Sequence, residues 1–466
     1  MEDRKTYLFE RAPISNAVFS MAVPTVLSSL VMVIYSLADT YFVGILNDPI
    51  QNAAVTLASP ILLAFNAVNN LFGVGSSSMM SRSLGKKEYE TVRKVAAFGF
   101  YCSLCCGLLF SLFYSVFRGP LLTLLGTGAE TFQATAGYLK WTVALGAAPA
   151  ILNVVMAYMV RSEGSTLHAS IGTMSGCVLN ILLDPIFILP WGLDMGAAGA
   201  GCATFLSNCA ACVYFFVLLL VKRKSTYVSI HPRMFRPNKE IVLGVCGVGL
   251  PASIQNLLNV TGMTVLNNFT SGFGPDAVAA MGIAYKVYMV PMQISMGFSQ
   301  GIMPLISYNY AAGNYRRMKR VVGFSARITL SFMAAIAAGY FIGASFFIRL
   351  FIQNADIVAY GTSFLRAMCL ALPFINMDFL AVGIFQAMGR GRNSFLFAIL
   401  RKILLEIPAL YVLNYFFPLY GLPYAQVIAE FILAIAAVLV LRKIYGELAD
   451  GDAAEESGGA PPAPAR

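Results

Sequence analysis

The chain has 466 residues, 58% of them hydrophobic and only 12% charged, with a net charge of +10 and a mean hydropathy of +0.72. A water-soluble chain of this length needs far more charge to cover its surface, so its main solvent is lipid. Outer-membrane barrels are excluded, because their strands alternate over about ten residues whereas these runs stay apolar for roughly twenty.

Met1 to Ser15 is polar and charged, which does not fit a cleavable secretory signal. Twelve apolar runs follow, near 16–44, 51–78, 93–117, 132–159, 168–190, 197–221, 241–270, 277–303, 321–346, 357–387, 394–417 and 421–441. Each is long enough to cross a ~30 Å hydrocarbon core as a helix. The first is too long for a signal-peptide core and reads as an anchor. The long fourth, seventh and tenth runs are candidates for kinks. Residues 447–466, rich in Gly, Ala, Pro and acids, read as a disordered tail.

The charge is placed asymmetrically. Arg4, Lys5 and Arg11 precede the first run, and Arg82, Lys86, Lys87, Arg93 and Lys94 lie between the second and third. Lys222, Arg223, Lys224, Arg233, Arg236 and Lys239 fill the loop after the sixth, and Arg316, Arg317, Lys319 and Arg320 that after the eighth. The alternate loops hold mainly Arg118 and Arg349 beside Asp48, Glu130, Asp194, Asp276 and Asp356. Both termini are therefore expected in the cytoplasm, which requires an even number of spans. The basic clusters are short and sit at helix ends, a poor match to a nucleic-acid partner. The nine cysteines, among them Cys102, Cys105, Cys106, Cys202, Cys209 and Cys212, fall inside apolar runs, so packing is expected of them and not a disulfide or metal framework.

The halves resemble each other. Pro24 and Pro251 stand 227 residues apart, Tyr89 and Tyr315 226, Gly164 and Gly389 225, and Pro149 and Pro373 224. Such constant offsets mark an internal repeat of six helices. An even-numbered unit starts and ends on one side, so its copy is parallel, related by an axis along the membrane normal, with a substrate path between lobes. The expected organisation is an N-terminal lobe over 1–221, a cytoplasmic linker over 222–240, a C-terminal lobe over 241–446 and the tail.

Asp39-Thr40-Tyr41-Phe42-Val43-Gly44, Ser83-Leu84-Gly85-Lys86-Lys87-Glu88-Tyr89, Arg161-Ser162-Glu163-Gly164, Leu179-Asn180-Ile181-Leu182-Leu183-Asp184-Pro185 and the stretch Gly421 to Glu430 resemble the multidrug and toxic compound extrusion (MATE) family of the MOP flippase superfamily. The likeness runs in order from about residue 10 to 445 and is nearest the bacterial MepA-type branch. It implies an all-α membrane protein of twelve helices in two six-helix lobes, in a bacterial inner membrane. It also implies export of cationic or amphipathic drugs or toxins against inward H⁺ or Na⁺, with no other cofactor and action as a monomer.

A charge in hydrocarbon costs roughly 3 kcal/mol or more, so each intramembrane acid needs a partner, a cavity or a task. Asp39, Asp184, Asn180 one turn below it, and Thr204 all fall ~8–11 Å beneath the outer boundary, counted at 1.5 Å per residue. Such oxygens could ligate Na⁺, with Asp39 and Asp184 as the metal-binding acids, or share a proton. The resemblance places ion coupling on these four residues. Asp184, followed by Pro185, could equally accept hydrogen bonds at a kink. In the second half Asp378 lies near a cation-site position of other family members, but their partner glutamate in helix seven has no counterpart. Lys286 and Glu406 are candidates for a buried ion pair, and Arg401 and Lys402 are expected to snorkel to the cytoplasm.

On the family's plan the substrate cavity takes Tyr35, Asn153, Gln255, Asn256, Met289, Met292 and Asn376; methionines suit varied apolar ligands, though ordinary helix packing explains any one of them. A flippase for lipid-linked sugars shares the fold but needs several cations for pyrophosphate, for which Lys286 and Arg366 are the main candidates. A membrane-embedded enzyme has little support, since H-E-x-x-H does not occur and Gly297-Phe298-Ser299-Gln300-Gly301, which fits G-x-S-x-G, lies inside an apolar run without the strand-turn-helix setting that motif needs.

Overall fold

A computed structural model describes residues 2–456. Its helices are α1 (Glu2–Glu10), α2 (Ile14–Ile45), α3 (Pro49–Gly85), α4 (Tyr89–Leu124), α5 (Phe132–Leu145), α6 (Ala147–Ser162), α7 (Thr166–Ile188) and α8 (Gly196–Val221). They continue with α9 (Lys239–Ser271), α10 (Pro275–Ala311), α11 (Tyr315–Arg349), α12 (Ala355–Cys369), α13 (Leu372–Ala387), α14 (391–416) and α15 (Leu422–Glu456). No strand occurs among the described residues.

Nine of these helices are long and apolar enough to cross a membrane, or eleven elements of that kind if each of two bent pairs is one span. The pairs are α5 with α6, bent by 51°, and α12 with α13, bent by 46°. They are the fourth and tenth apolar runs, and Pro149 and Pro373 stand just inside their second halves, where a proline removes a backbone donor. The seventh run is one continuous helix, α9, despite Pro251. The eleventh apolar run is α14, which carries Arg401, Lys402 and Glu406 within it. Its central turn, Leu400–Glu406, is π-helical, and the extra residue per turn re-aims these side chains inward.

The repeat reappears in the hydrogen bonds. Ser81 Oγ donates to Ser162 O at 2.8 Å, and its repeat mate Ser307 donates to Ala387 O at 2.9 Å. Gly164 (φ +87°) and Gly389 (φ +76°) adopt the same left-handed conformation at the equivalent helix ends, which glycine enters without steric cost.

The chain divides into two compact units. Unit 1 comprises Met1–Val260, Met296–Ala312 and Gly383–Ala398; unit 2 comprises Thr261–Ser295, Gly313–Val382 and Ile399–Arg466. The 222–240 linker packs inside unit 1, with Tyr227 stacked on Tyr89 at 4.9 Å and Ile230 O accepting from Tyr101 at 2.8 Å. Unit 2 has its own apolar core around Tyr288, Phe364, Met368 and Ile375.

Two expectations change at the ends. The polar N-terminus forms α1, whose Phe9 is buried and stacks on Tyr308 at 4.7 Å. The tail expected from Glu447 instead continues α15 to Glu456, through helix-favouring Ala and Glu; the rest of it, 457–466, lies outside the described residues.

Candidate functional site

The acidic site of unit 1 is assembled from four helices. In α2, Tyr35 and Asp39 are one turn apart on one face, as are Asn180 and Asp184 in α7. Asp184 and Asn180 are buried, while Asp39, Tyr35 and Thr204 are half-buried. Thr204 comes from α8, a helix that opens with small residues. A Cβ on Gly201 would meet Tyr138 O at 2.8 Å, so glycine there lets α8 lie against α5. Gln51 Oε1 accepts from the Ala197 backbone at 2.8 Å and covers the start of α8.

Asn180 is the hinge of this constellation. With its amide nitrogen toward Asp184, Nδ2 donates to Oδ2 at 2.8 Å and to Oδ1 at 3.2 Å. Its oxygen then accepts from Thr204 N at 3.0 Å and Thr204 Oγ1 at 3.2 Å. Turned over, the amide nitrogen would face the Thr204 backbone N–H at 3.0 Å, donor against donor, so the neighbours select the first orientation. Asp39 lies within electrostatic reach of Asp184, and Tyr35 and Tyr138 within reach of both acids.

All four residues expected to couple an ion therefore converge, joined by Tyr35. Sequence reasoning missed Tyr138 of α5, which has no polar spacing signal, and Asn208, one turn after Thr204 in α8. Asn153, expected in the substrate cavity, is buried and donates through Nδ2 to Pro149 O at 2.8 Å and Asn208 Oδ1 at 3.0 Å. It satisfies the backbone at the proline bend. Gln255 and Asn256 are half-buried in unit 1.

In unit 2, Met289 and Met292 are half-buried, Met292 against the apolar core. Asn376 is buried and ties three helices, donating to Thr329 Oγ1 at 2.9 Å and accepting from Ser295 Oγ at 3.2 Å. The second-half charges depart from expectation. Lys286 is exposed and does not pair with Glu406. Glu406 is taken by Lys402, one turn earlier, whose Nζ reaches Oε1 at 2.8 Å and Oε2 at 2.6 Å. Arg401 does not snorkel to the cytoplasm: it is buried, with Nε 2.6 Å from Glu430 Oε1 and Nη1 3.2 Å from Asp378 Oδ2. Buried cations need such partners, and spacing alone could not show that α13 and α15 supply them.

Comparison with known proteins agrees with this architecture. The family model MatE matches twice, over residues 24–186 and 251–412, one copy per repeat. Multidrug export protein MepA of Staphylococcus aureus is 34% identical over 450 residues, 96% of this chain and 98% of its own length. MepA of Staphylococcus saprophyticus is 34% identical over 449 residues, with the same coverage. Among solved structures, an outward-facing multidrug resistance MATE transporter of the MOP superfamily superposes with a TM-score of 0.90 at 27% identity, covering 96% of this chain and 99% of that one. A MATE structure in the bent conformation gives 0.88 at 27% identity over 97% and 99%.

Proposed function

Because the chain belongs to the MatE family of multidrug export transporters, we propose that it exports cationic or amphipathic small molecules across a bacterial plasma membrane, driven by protons entering through the Asp39–Asp184 site. The carrying observation is the Asn180 bridge between Asp184 and Thr204. When Asp184 is ionised, its oxygens accept the Asn180 amide N–H groups. When a proton arrives, the carboxyl loses the charge that strengthens those hydrogen bonds. One proton thereby loosens the link that Asn180 makes from Asp184 to Thr204 of α8, and removes the repulsion between Asp184 and Asp39 on α2. A local protonation of this kind shifts population between two helix arrangements, which is what alternating access requires.

The same geometry favours H⁺ over Na⁺. In the ionised arrangement Asn180 offers Asp184 its N–H, and the amide oxygen is engaged by Thr204, so the amide is not a free oxygen ligand for a metal. A sugar-lipid flippase has less support, since of its two candidate cations Arg366 already donates to Phe341 O at 3.1 Å, which leaves exposed Lys286 where several cations are needed. Both termini are placed in the cytoplasm by the basic loops, and the transporter acts as a monomer without a further cofactor.

Ethidium efflux from cells or everted vesicles, with pH and Na⁺ gradients imposed separately, tests this. Export driven by the pH gradient alone is expected. Drive by Na⁺ alone would move coupling to metal ligation at Asp39 and Asp184, and export with neither gradient would overturn antiport.

A further inference from the structure

The 222–240 linker of unit 1 encloses a cavity of about 610 Å³ against the basic ends of α4 and α8. Its apolar lining includes Phe216, Leu219 and Leu220 of α8, and its polar lining includes Arg93 of α4 with Arg223 and His231 of the linker. Side-chain bonds hold the linker in place. Tyr101 Oη of α4 donates to Ile230 O at 2.8 Å, Phe235 stacks on Phe98 at 6.5 Å, and Thr226 Oγ1 and Tyr227 N donate to Glu163 at 3.0 and 2.8 Å.

The cavity carries positive charge that the protein leaves unmatched. None of its lining residues is acidic among the described residues. The nearby acids are occupied, Glu163 by Lys5 at 2.9 Å and Glu90 by Lys94 at 2.7 Å. Arg93 and Arg223 are exposed and neither forms an ion pair among the described residues. His231 Nδ1 accepts from Arg233 N at 3.2 Å, which leaves its hydrogen on Nε2 as a further donor. Three groups suited to phosphate oxygens therefore meet beside an apolar wall.

That wall continues along the helix. Val213, Val217, Leu220 and Val221 share one face of α8 and are between 51% and 78% exposed, an apolar track about 12 Å long. A free anion would gain nothing from the track. A phospholipid uses both parts, and with no acid at hand for the ammonium of a zwitterionic headgroup its net charge has to be negative. We propose that the cavity binds an anionic phospholipid from the leaflet that borders the basic loops, its phosphate on Arg93 and Arg223 and one acyl chain along α8. The lipid braces the segment that joins the two repeats, and the site stands apart from the ion-coupling reading.

The test uses the full chain in phosphatidylcholine bilayers, with Trp141→Phe and Trp191→Phe removing the two native indoles and Leu220→Trp placing one at the cavity. Lipids with brominated chains quench an indole they touch, so quenching reports occupancy at this place. Brominated phosphatidylglycerol should quench at a lower mole fraction than brominated phosphatidylcholine. Arg93→Gln and Arg223→Gln should each lower that preference about fivefold, the effect of one basic group at a membrane surface. Lys224→Gln and Arg233→Gln remove equal charge from exposed linker positions outside the cavity and should leave the preference unchanged. Thermal unfolding of the chain with its native tryptophans gives a second readout should Leu220→Trp disturb the cavity: phosphatidylglycerol should stabilise it more than phosphatidylcholine does, and less so after Arg93→Gln. Equal effects of the two lipids in both assays, or equal losses in the two pairs of variants, overturn the proposal, the second outcome reducing it to general surface charge. Relief of the quenching by millimolar glycerol phosphate assigns the cavity to a free anion and overturns the lipid as well.

Discussion

Glu163 is the residue whose removal the structure makes most costly outside the acidic site. It closes α6 and is 3% exposed, and one carboxylate serves four donors. Oε1 lies 2.9 Å from Lys5 Nζ of α1 and accepts from Ser165 Oγ at 3.3 Å; Oε2 accepts from Thr226 Oγ1 at 3.0 Å and from Tyr227 N at 2.8 Å. Glu163→Ala strands the Tyr227 amide and the Thr226 hydroxyl, each worth about 1–3 kcal/mol when left unsatisfied in a buried place. Lys5 is 24% exposed, so its ion pair is screened and adds ~1 kcal/mol at most. The expected loss is about 2–4 kcal/mol, toward the lower end of the sum over the two donors because both are only half-buried. Lys5→Met leaves the carboxylate its other three donors and should cost only ~0–1 kcal/mol. Glu163→Gln, which keeps an acceptor but loses the charge, should fall between. Thermal unfolding of the purified protein in detergent ranks the three. If Lys5→Met destabilises as much as Glu163→Ala, the ion pair carries the energy and the reasoning from stranded donors is wrong.

Asp39→Asn and Asp184→Asn should each abolish drug resistance while the protein remains in the membrane, measured by growth in ethidium and by immunoblot; full activity in either variant removes that acid from coupling. Gly201→Leu must push α8 off Tyr138 O and should cost ~1–3 kcal/mol, with efflux lost because Thr204 moves away from Asn180. Asn376→Ala strands the Ser295 hydroxyl in unit 2, while Thr329 keeps its bond to Ser325 O at 2.8 Å, and should lower stability by roughly 1–3 kcal/mol, with unaltered stability counting against that network. Ser81→Ala and Ser307→Ala remove equivalent bonds in the two repeats and should each cost about 1 kcal/mol; a large difference between them would show that the repeat no longer shares its energetics.

Much of the site was legible because helical geometry converts spacing into position. Asp39 against Gly44, Asp184 against Trp191 and Thr204 against Ala197 gave one depth by counting residues, and the structure brings those side chains together. The lateral arrangement was not legible. Nothing in the spacing says that Asn180 has Thr204 on one side and Asp184 on the other, or that Tyr138 joins them. Asn153 and Asn376 were expected to face substrate on the family's plan, but an amide at a proline bend or a three-helix junction is equally well used inside the protein. Arg401 and Lys402 misled for a related reason. A basic residue within reach of the cytoplasmic end of a helix usually snorkels, and only the π-turn of α14 shows that this pair faces inward.

The sequence by itself determined the solvent, the apolar runs, the bends of the fourth and tenth and the two-copy repeat of six helices, since these follow from hydrophobic run length, proline position and constant offset along one dimension; the seventh run, also a candidate for a kink, is continuous. The tertiary structure alone decided which charges compensate one another. An ion pair depends on the rotation of each helix about its axis and on which neighbour it meets, and a lipid-embedded chain exposes apolar residues on its outer face as freely as it buries them. Hydrophobicity therefore does not mark the inward face of such a helix. Close contact does, as between Glu430, Arg401 and Asp378.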